Sequence, residues 1–298
     1  ILEILDEDME LLEVTQLTWS DARFSENLTR FYGENLPRGS FKERECGRGP
    51  FHVAFVRDSS PVYGERQATA GVSEVNTHCF DAKARCRALT GGGFLIHGTN
   101  THREADHDCA MLFGSSIRDH LGAAPGPWDG VIESVAREVS GSGEWESLEA
   151  LFRVLNAAAP YLVLRNFEGL PHSAVTEGHE DIDLLTDDTS LMLHLTGAKR
   201  ARPEPYRVLH TVRVAGQDLL FDFRFVGDGY YDESWERGML ERRVLDERGF
   251  YRPTQEDHFG SLLYHATVHK VSVSDEYLDR VSKLGGPLGV RVESADVD

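Results

Sequence analysis

A mixed α/β protein of two domains is predicted, and three observations predict it. Apolar residues make up 40% of the 298 residues, enough to build packed cores. Strand-like and helix-like segments succeed one another along both halves, the order of layered α/β folds. Between the halves, "GAAPGPWDG" (122–130) and "SGSGEWE" (140–146) concentrate Gly, Pro and Ser, the composition of a joint. The boundary falls near residue 143. Residues 1–143 are read as a β-α-β-α sandwich, and residues 144–298 as a mixed sheet with a helical tail from about 254.

The elements follow in order. Residues 1–45 are charged and weakly periodic and place no element. "FHVAFVR" (51–57) reads as a buried strand, and "NTHCFDAKARCRAL" as a helix capped by Asn76 or Thr77. Three glycines at 91–93 stop that helix. "FLIHGTN" (94–100) then reads as a strand, "THREADHDCAMLFG" as a helix opening at Thr101, and "VIESVAREV" (131–139) as one short helix.

Past the joint, Leu148, Leu151, Phe152 and Leu155 stand at i, i+3, i+4 and i+7, one apolar helical stripe. "YLVLRN" and "DIDLL" read as strands and "DDTSLMLHL" as a capped helix. "RVLHTVRVAGQDLLFDFRFVG" reads as a hairpin turning at 215–217. "TQEDHFGSLLYHATVHK" and "SDEYLDRVSKL" supply the helical tail.

Charge and composition narrow the function. A net charge of −19 argues against a broad grip on nucleic acid and suits a site that gathers divalent cations. No apolar run approaches the roughly 20 residues of a membrane span. Cys46, Cys79, Cys86 and Cys109 form no C-x-x-C pair and no secretory leader is visible, so a reduced, cytoplasmic protein is expected.

The chemistry concentrates in two segments. Strand side chains alternate, so Asp181 and Asp183 share one face while Ile182 and Leu184 turn to the core. Likewise Phe221, Phe223 and Phe225 share one face of the hairpin strand, and Asp222 and Arg224 the other. If the two strands are neighbours, three carboxylates meet at one spot. Their mutual repulsion in a partly dry site is relieved by a divalent metal, and Mg²⁺ takes oxygen ligands of this kind.

The D-h-D pair on one strand, the h-D-h on a later strand and the helix–strand–loop–strand–helix–hairpin order resemble the nucleotidyltransferase superfamily with the DNA-polymerase-β-like fold. The resemblance covers roughly residues 146–270. It implies Mg²⁺- or Mn²⁺-dependent transfer of a nucleotidyl group from a nucleoside triphosphate to a small-molecule or glycan-like acceptor. Asp181, Asp183 and Asp222 then hold the metals, and Asp222 helps activate the attacking oxygen. Where the family carries a Gly-Ser or Gly-Gly pair after the first strand, this chain has Arg165 and Asn166, followed by Gly169. Arg165 is read as a guanidinium fork for phosphate. Arg224, His269 and Lys270 complete the expected nucleotide-facing set, while Glu177, Glu180 and Asp187 are read as loop charges. The competing readings are a non-catalytic module that keeps the fold, and a metal-dependent phosphotransferase or hydrolase.

Two further segments carry expectations. His258, His265 and His269 are spaced seven and four residues apart, one stripe on an α-helix, with His258 read as flanking the core. In the first half, His97, Thr99 and Asn100 precede a helix N-terminus and are read as an anion or acceptor site, with Lys83, Arg85 and Arg87 near in sequence. The G-K-[ST] ending of a P-loop is absent. Tyr230, Tyr231 and Trp235 are read as packing over the hairpin.

Overall fold

The computed structural model describes residues 1–68, 71–173, 181–201 and 209–292. Glu177 and Glu180 lie outside the described residues. The chain divides into two compact units, Ile1–Gly143 and Glu144–Asp298.

The first unit runs α1 (Leu2–Asp6), β1 (Glu10–Thr18), α2 (Phe24–Tyr32), α3 (Phe41–Cys46), β2 (Phe51–Arg57), β3 (Tyr63–Ala68), β4 (Gly71–Asn76), α4 (Thr77–Leu89), α5 (His102–Phe113), α6 (Ile117–Leu121) and β5 (Ile132–Ala136). Strand β1 is central, with β2 antiparallel on one side and β5 parallel on the other; β3 and β4 pair separately. Val14 and Leu17 of β1 are buried with Trp19, whose ring meets Phe51 at 4.9 Å and Phe24 at 5.3 Å. Each such buried apolar side chain stabilises by roughly 1.5–3 kcal/mol.

The β-α-β-α expectation for this unit is corrected at two places. Residues 94–100 form no strand. Two of their carbonyls are taken by side chains of α4 instead, Ile96 O by Arg87 Nε at 3.0 Å and Gly98 O by Lys83 Nζ at 3.1 Å. "VIESVAREV" is not a helix. Its Ile132–Ala136 stretch adds in parallel to β1, because Val and Ile favour a pleated edge once a partner strand offers hydrogen bonds. Helices α4 and α5 form with the expected caps, Asn76 accepting from Cys79 N–H and Thr101 from Glu104 N–H.

The second unit runs α7 (Leu148–Ala158), β6 (Tyr161–Val163), β7 (Asp181–Thr186), α8 (Thr189–Thr196), β8 (Lys199–Arg200), β9 (Leu209–Val214), β10 (Gln217–Phe225), α9 (Glu233–Arg242), β11 (Val244–Leu245), β12 (Tyr251–Arg252), α10 (Gln255–Tyr264), a π-helical turn (His265–His269) and α11 (Asp275–Gly285). The sheet order is β6-β7-β10-β9-β8. Strands β7 and β10 are parallel, and the remaining pairs of this sheet are antiparallel. Ser147 caps α7, whose Leu151, Phe152 and Leu155 are at most 1% exposed. The β9–β10 hairpin turns at Ala215 and Gly216, both at positive φ.

Both units are therefore mixed α/β with open sheets. Among the described residues no helix is long and apolar enough to cross a membrane. The four cysteines are free thiols.

Candidate active site

The register of β7 on β10 decides what the sheet presents. Asp181 stands opposite Leu220, Asp183 opposite Asp222 and Leu185 opposite Arg224. Paired residues share a face, so Asp181, Asp183, Asp222 and Arg224 all rise from one side. The other side carries Ile182 and Leu184 beside Phe221 and Phe223, all at most 4% exposed. The carboxylate side is not open along its length. Leu185 packs there with Leu162, Leu164, Tyr231, Met239 and Leu240, which places the acidic residues at the margin of an apolar cluster.

Arginines partner two of the three carboxylates. Arg165 follows the β6 strand and grips Asp183 with both prongs, Nε to Oδ2 and Nη2 to Oδ1, each at 2.8 Å. The Asp183 side chain is 3% exposed and that of Arg165 11%. Arg224 Nη2 lies 3.0 Å from Asp222 Oδ2, and its Nη1 3.6 Å from Asp228 Oδ2. Burial opposes the Arg165 charge, but Asp183, then Tyr230 and Tyr231, outweigh it and hold the guanidinium firmly protonated. Burial pushes Asp183 above the ordinary carboxylate range against the pull of Arg165, with Asp181 and Asp222 adding to the rise. Burial likewise pushes Asp222 up, opposed by Arg224 and Arg165.

Tyr230, on the loop after β10, joins these pairs to the helical tail. Its hydroxyl accepts from Arg165 Nη1 at 3.1 Å and meets His265 Nδ1 at 2.7 Å. Burial, with Arg165 and Lys270 nearby, pushes His265 down to about 3, so the imidazole that meets the tyrosine hydroxyl is neutral. His269 stacks on the Tyr230 ring at 4.1 Å and donates from Nε2 to Tyr230 O at 3.0 Å, while the Arg224 guanidinium sits 4.1 Å from the ring centroid. The π turn makes this possible. Its wider spacing, closed by Lys270 N–H on His265 O at 3.1 Å, sets both His265 and His269 against Tyr230.

The other expected residues fall as follows. Asn166 takes φ = 58°, the left-handed region that glycine would occupy, and its Oδ1 accepts from Arg280 Nη1 at 2.7 Å. His258 is buried against Phe167, apart from the other two histidines in its contacts. Lys270 Nζ lies 4.6 Å from the Tyr277 ring centroid. In the first unit, His97 pairs with Asp108 at 2.8 Å, and Asp108 also meets His107 at 3.0 Å. Asn100 N–H donates to Glu104 at 2.7 Å and its Oδ1 accepts from Lys83, while Thr99 stands between them in an irregular segment.

The sequence reading placed Arg224 near phosphate and Arg165 as a phosphate fork, without pairing either with a carboxylate. Arg224 lies two residues beyond Asp222 on the same strand, a same-face spacing that signals the contact. Arg165 and Asp183 are 18 residues apart, and nothing local announces their pairing.

Mg²⁺ is met by one or two carboxylates, waters and substrate phosphates. Asp181 and Asp222 fit that requirement: Arg224 meets Asp222 through Oδ2, and no described side chain donates to the Asp181 carboxylate. Asp183 fits it only when Arg165 lets go. Among the described residues no group of three or more His, Cys, Asp or Glu side chains is gathered closely enough to hold a metal ion. Compared with protein-family models, curated proteins and solved structures, the chain matches none of them.

Proposed function

We propose that the second unit is a divalent-metal-dependent nucleotidyltransferase, moving a nucleotidyl group from a nucleoside triphosphate to a hydroxyl of a small-molecule or glycan acceptor. One observation carries the reading: Asp222 stands opposite Asp183 across a parallel strand pair, with Asp181 two residues along on the same face. Three carboxylates here face two guanidiniums, so the face has room for further positive charge. Asp181 and Asp222 would hold the Mg²⁺ or Mn²⁺. When bound, the cation neutralises phosphate charge and lowers the cost of the developing oxyanion. Asp222 helps activate the attacking hydroxyl; as that oxygen bonds to the α-phosphorus, the bond from phosphorus to the bridging oxygen of the β-phosphate breaks, and pyrophosphate leaves with the electron pair. Arg165, released from Asp183, offers its fork to phosphate oxygens. Arg224 and Tyr230 keep Asp222 oriented through the 3.0 Å ion pair and the stacked guanidinium.

A second reading is favoured by the Arg165–Asp183 pair itself. A closed, buried ion pair at the second Asp is what a non-catalytic module derived from such a fold would carry. Transfer of label from α-phosphate-labelled triphosphates to saccharide and nucleoside acceptors separates the two. The enzyme reading expects labelled acceptor with Mg²⁺ or Mn²⁺, reduced at least about 100-fold in Asp222→Asn, the usual scale for a lost acid–base group. No transfer with any triphosphate, at protein concentrations that allow a single turnover, favours the module.

A further inference from the structure

We propose that the first unit holds a binding pocket for a neutral carbohydrate, on the β1–β5 face of its sheet beside α5 and α6. A cavity of about 510 Å³ lies there, within the size range of small-molecule sites. Thr15 of β1 pairs with Glu133 of β5, and Glu13 lies two residues before Thr15, so Glu13 and Glu133 rise from the same face. Glu13 is set in place through one oxygen: Thr15 Oγ1 donates to Oε1 at 2.8 Å, and His120 Nε2 meets the same atom at 3.1 Å. The His120 ring rests 4.3 Å from Phe113. Trp128 is pinned by its own loop, its indole N–H on Val131 O at 2.7 Å and its backbone N–H on Leu11 O at 2.8 Å, which leaves the ring as a fixed wall. Arg137 enters from the end of β5, half-buried, 5.6 Å from the Phe113 centroid, and makes no ion pair among the described residues.

The lining selects its ligand by elimination. Asp129, a third carboxylate of the lining, has its Oδ1 held by Val131 N–H at 2.9 Å. An anion would meet Glu13, Asp129 and Glu133, and a cationic amine would meet Arg137. An apolar molecule would strip water from all four charges without replacing it. A neutral sugar offers hydroxyls that donate to the carboxylates and accept from the guanidinium, and a C–H face that packs on Phe113 and Trp128. The pocket uses none of the carboxylates of the second unit, so it stands whether or not that unit transfers nucleotides.

The test is calorimetric titration and saturation-transfer NMR of the full chain, without metal or nucleotide, against neutral hexoses, N-acetylhexosamines and disaccharides. A uronate and spermidine serve as charged probes. Saturable binding of at least one neutral saccharide is expected, weakened about tenfold or more by Trp128→Ala and by Arg137→Met. Should Trp128→Ala not fold, Glu133→Gln on the exposed edge strand replaces it, with the same loss expected. The proposal is overturned if no neutral saccharide binds, if the variants bind as the parent does, or if the uronate or the amine binds in preference.

Discussion

Asp183 and Arg165 compensate each other's buried charge. Taking one away leaves the other desolvated, and breaking such a pair costs about 3–5 kcal/mol. Asp183→Asn should therefore lower stability by that amount, read from the urea midpoint, while Arg165→Met with Asp183→Leu recovers most of the loss. An unchanged midpoint in Asp183→Asn would show that the pair is not closed in solution. His258 gives a second prediction at this scale. Burial, then Arg280 and Arg252, pushes its imidazole down to about 4 from the ordinary 6.5. The unfolded chain takes up the proton first as pH falls. The stability tied to neutral His258 is thus complete above about pH 6.5 and is lost toward pH 4. His258→Phe, beside Phe167, removes that dependence, so its thermal midpoint should fall less than the parent's between pH 7 and about pH 4. Equal falls would assign the acid sensitivity elsewhere.

Elements that carry their own signal were readable from the sequence. The i, i+3, i+4, i+7 stripe gave α7, and strict alternation in Asp181–Leu184 gave β7. Reading failed where a distant partner decides. Ile132–Ala136 became a strand because β1 had a free edge, and residues 94–100 did not because Arg87 and Lys83 took two of their carbonyls. The histidine stripe assumed an α-helical period, whereas the π turn sends His265 and His269 to Tyr230; His258, read as flanking the core, packs against Phe167. The loop after β6 carries the testable case. Asn166 sits at φ = 58°, and Arg248 ties the same loop down through Phe167 O at 3.0 Å and Leu170 O at 3.2 Å. A β-branched residue at that φ costs about 1–2 kcal/mol more than glycine. Asn166→Val should accordingly be less stable than Asn166→Gly by that margin in denaturant titration. Equal stabilities would mean that the loop relaxes out of the left-handed conformation.

For the whole molecule, composition gave the class and the joint gave a division near residue 143, where the two compact units meet in sequence. The acidic balance of −19 belongs to the chain as a whole, while the candidate site depends on local counter-charge. Residue identity and alternation put Asp181, Asp183 and Asp222 forward. The parallel register that sets Asp222 opposite Asp183, and the arginine that occupies Asp183, come from tertiary pairing that no local pattern encodes, whereas Arg224 stands at a same-face spacing from Asp222. The central claim is that this acidic face receives a metal–nucleotide complex. Mn²⁺ titration of the full chain with a nucleoside triphosphate present, followed by water-proton relaxation, tests it most directly. The account predicts saturable binding that needs both components and is lost in Asp181→Asn and in Asp222→Asn; absence of binding with every triphosphate, or binding untouched by both substitutions, would contradict it.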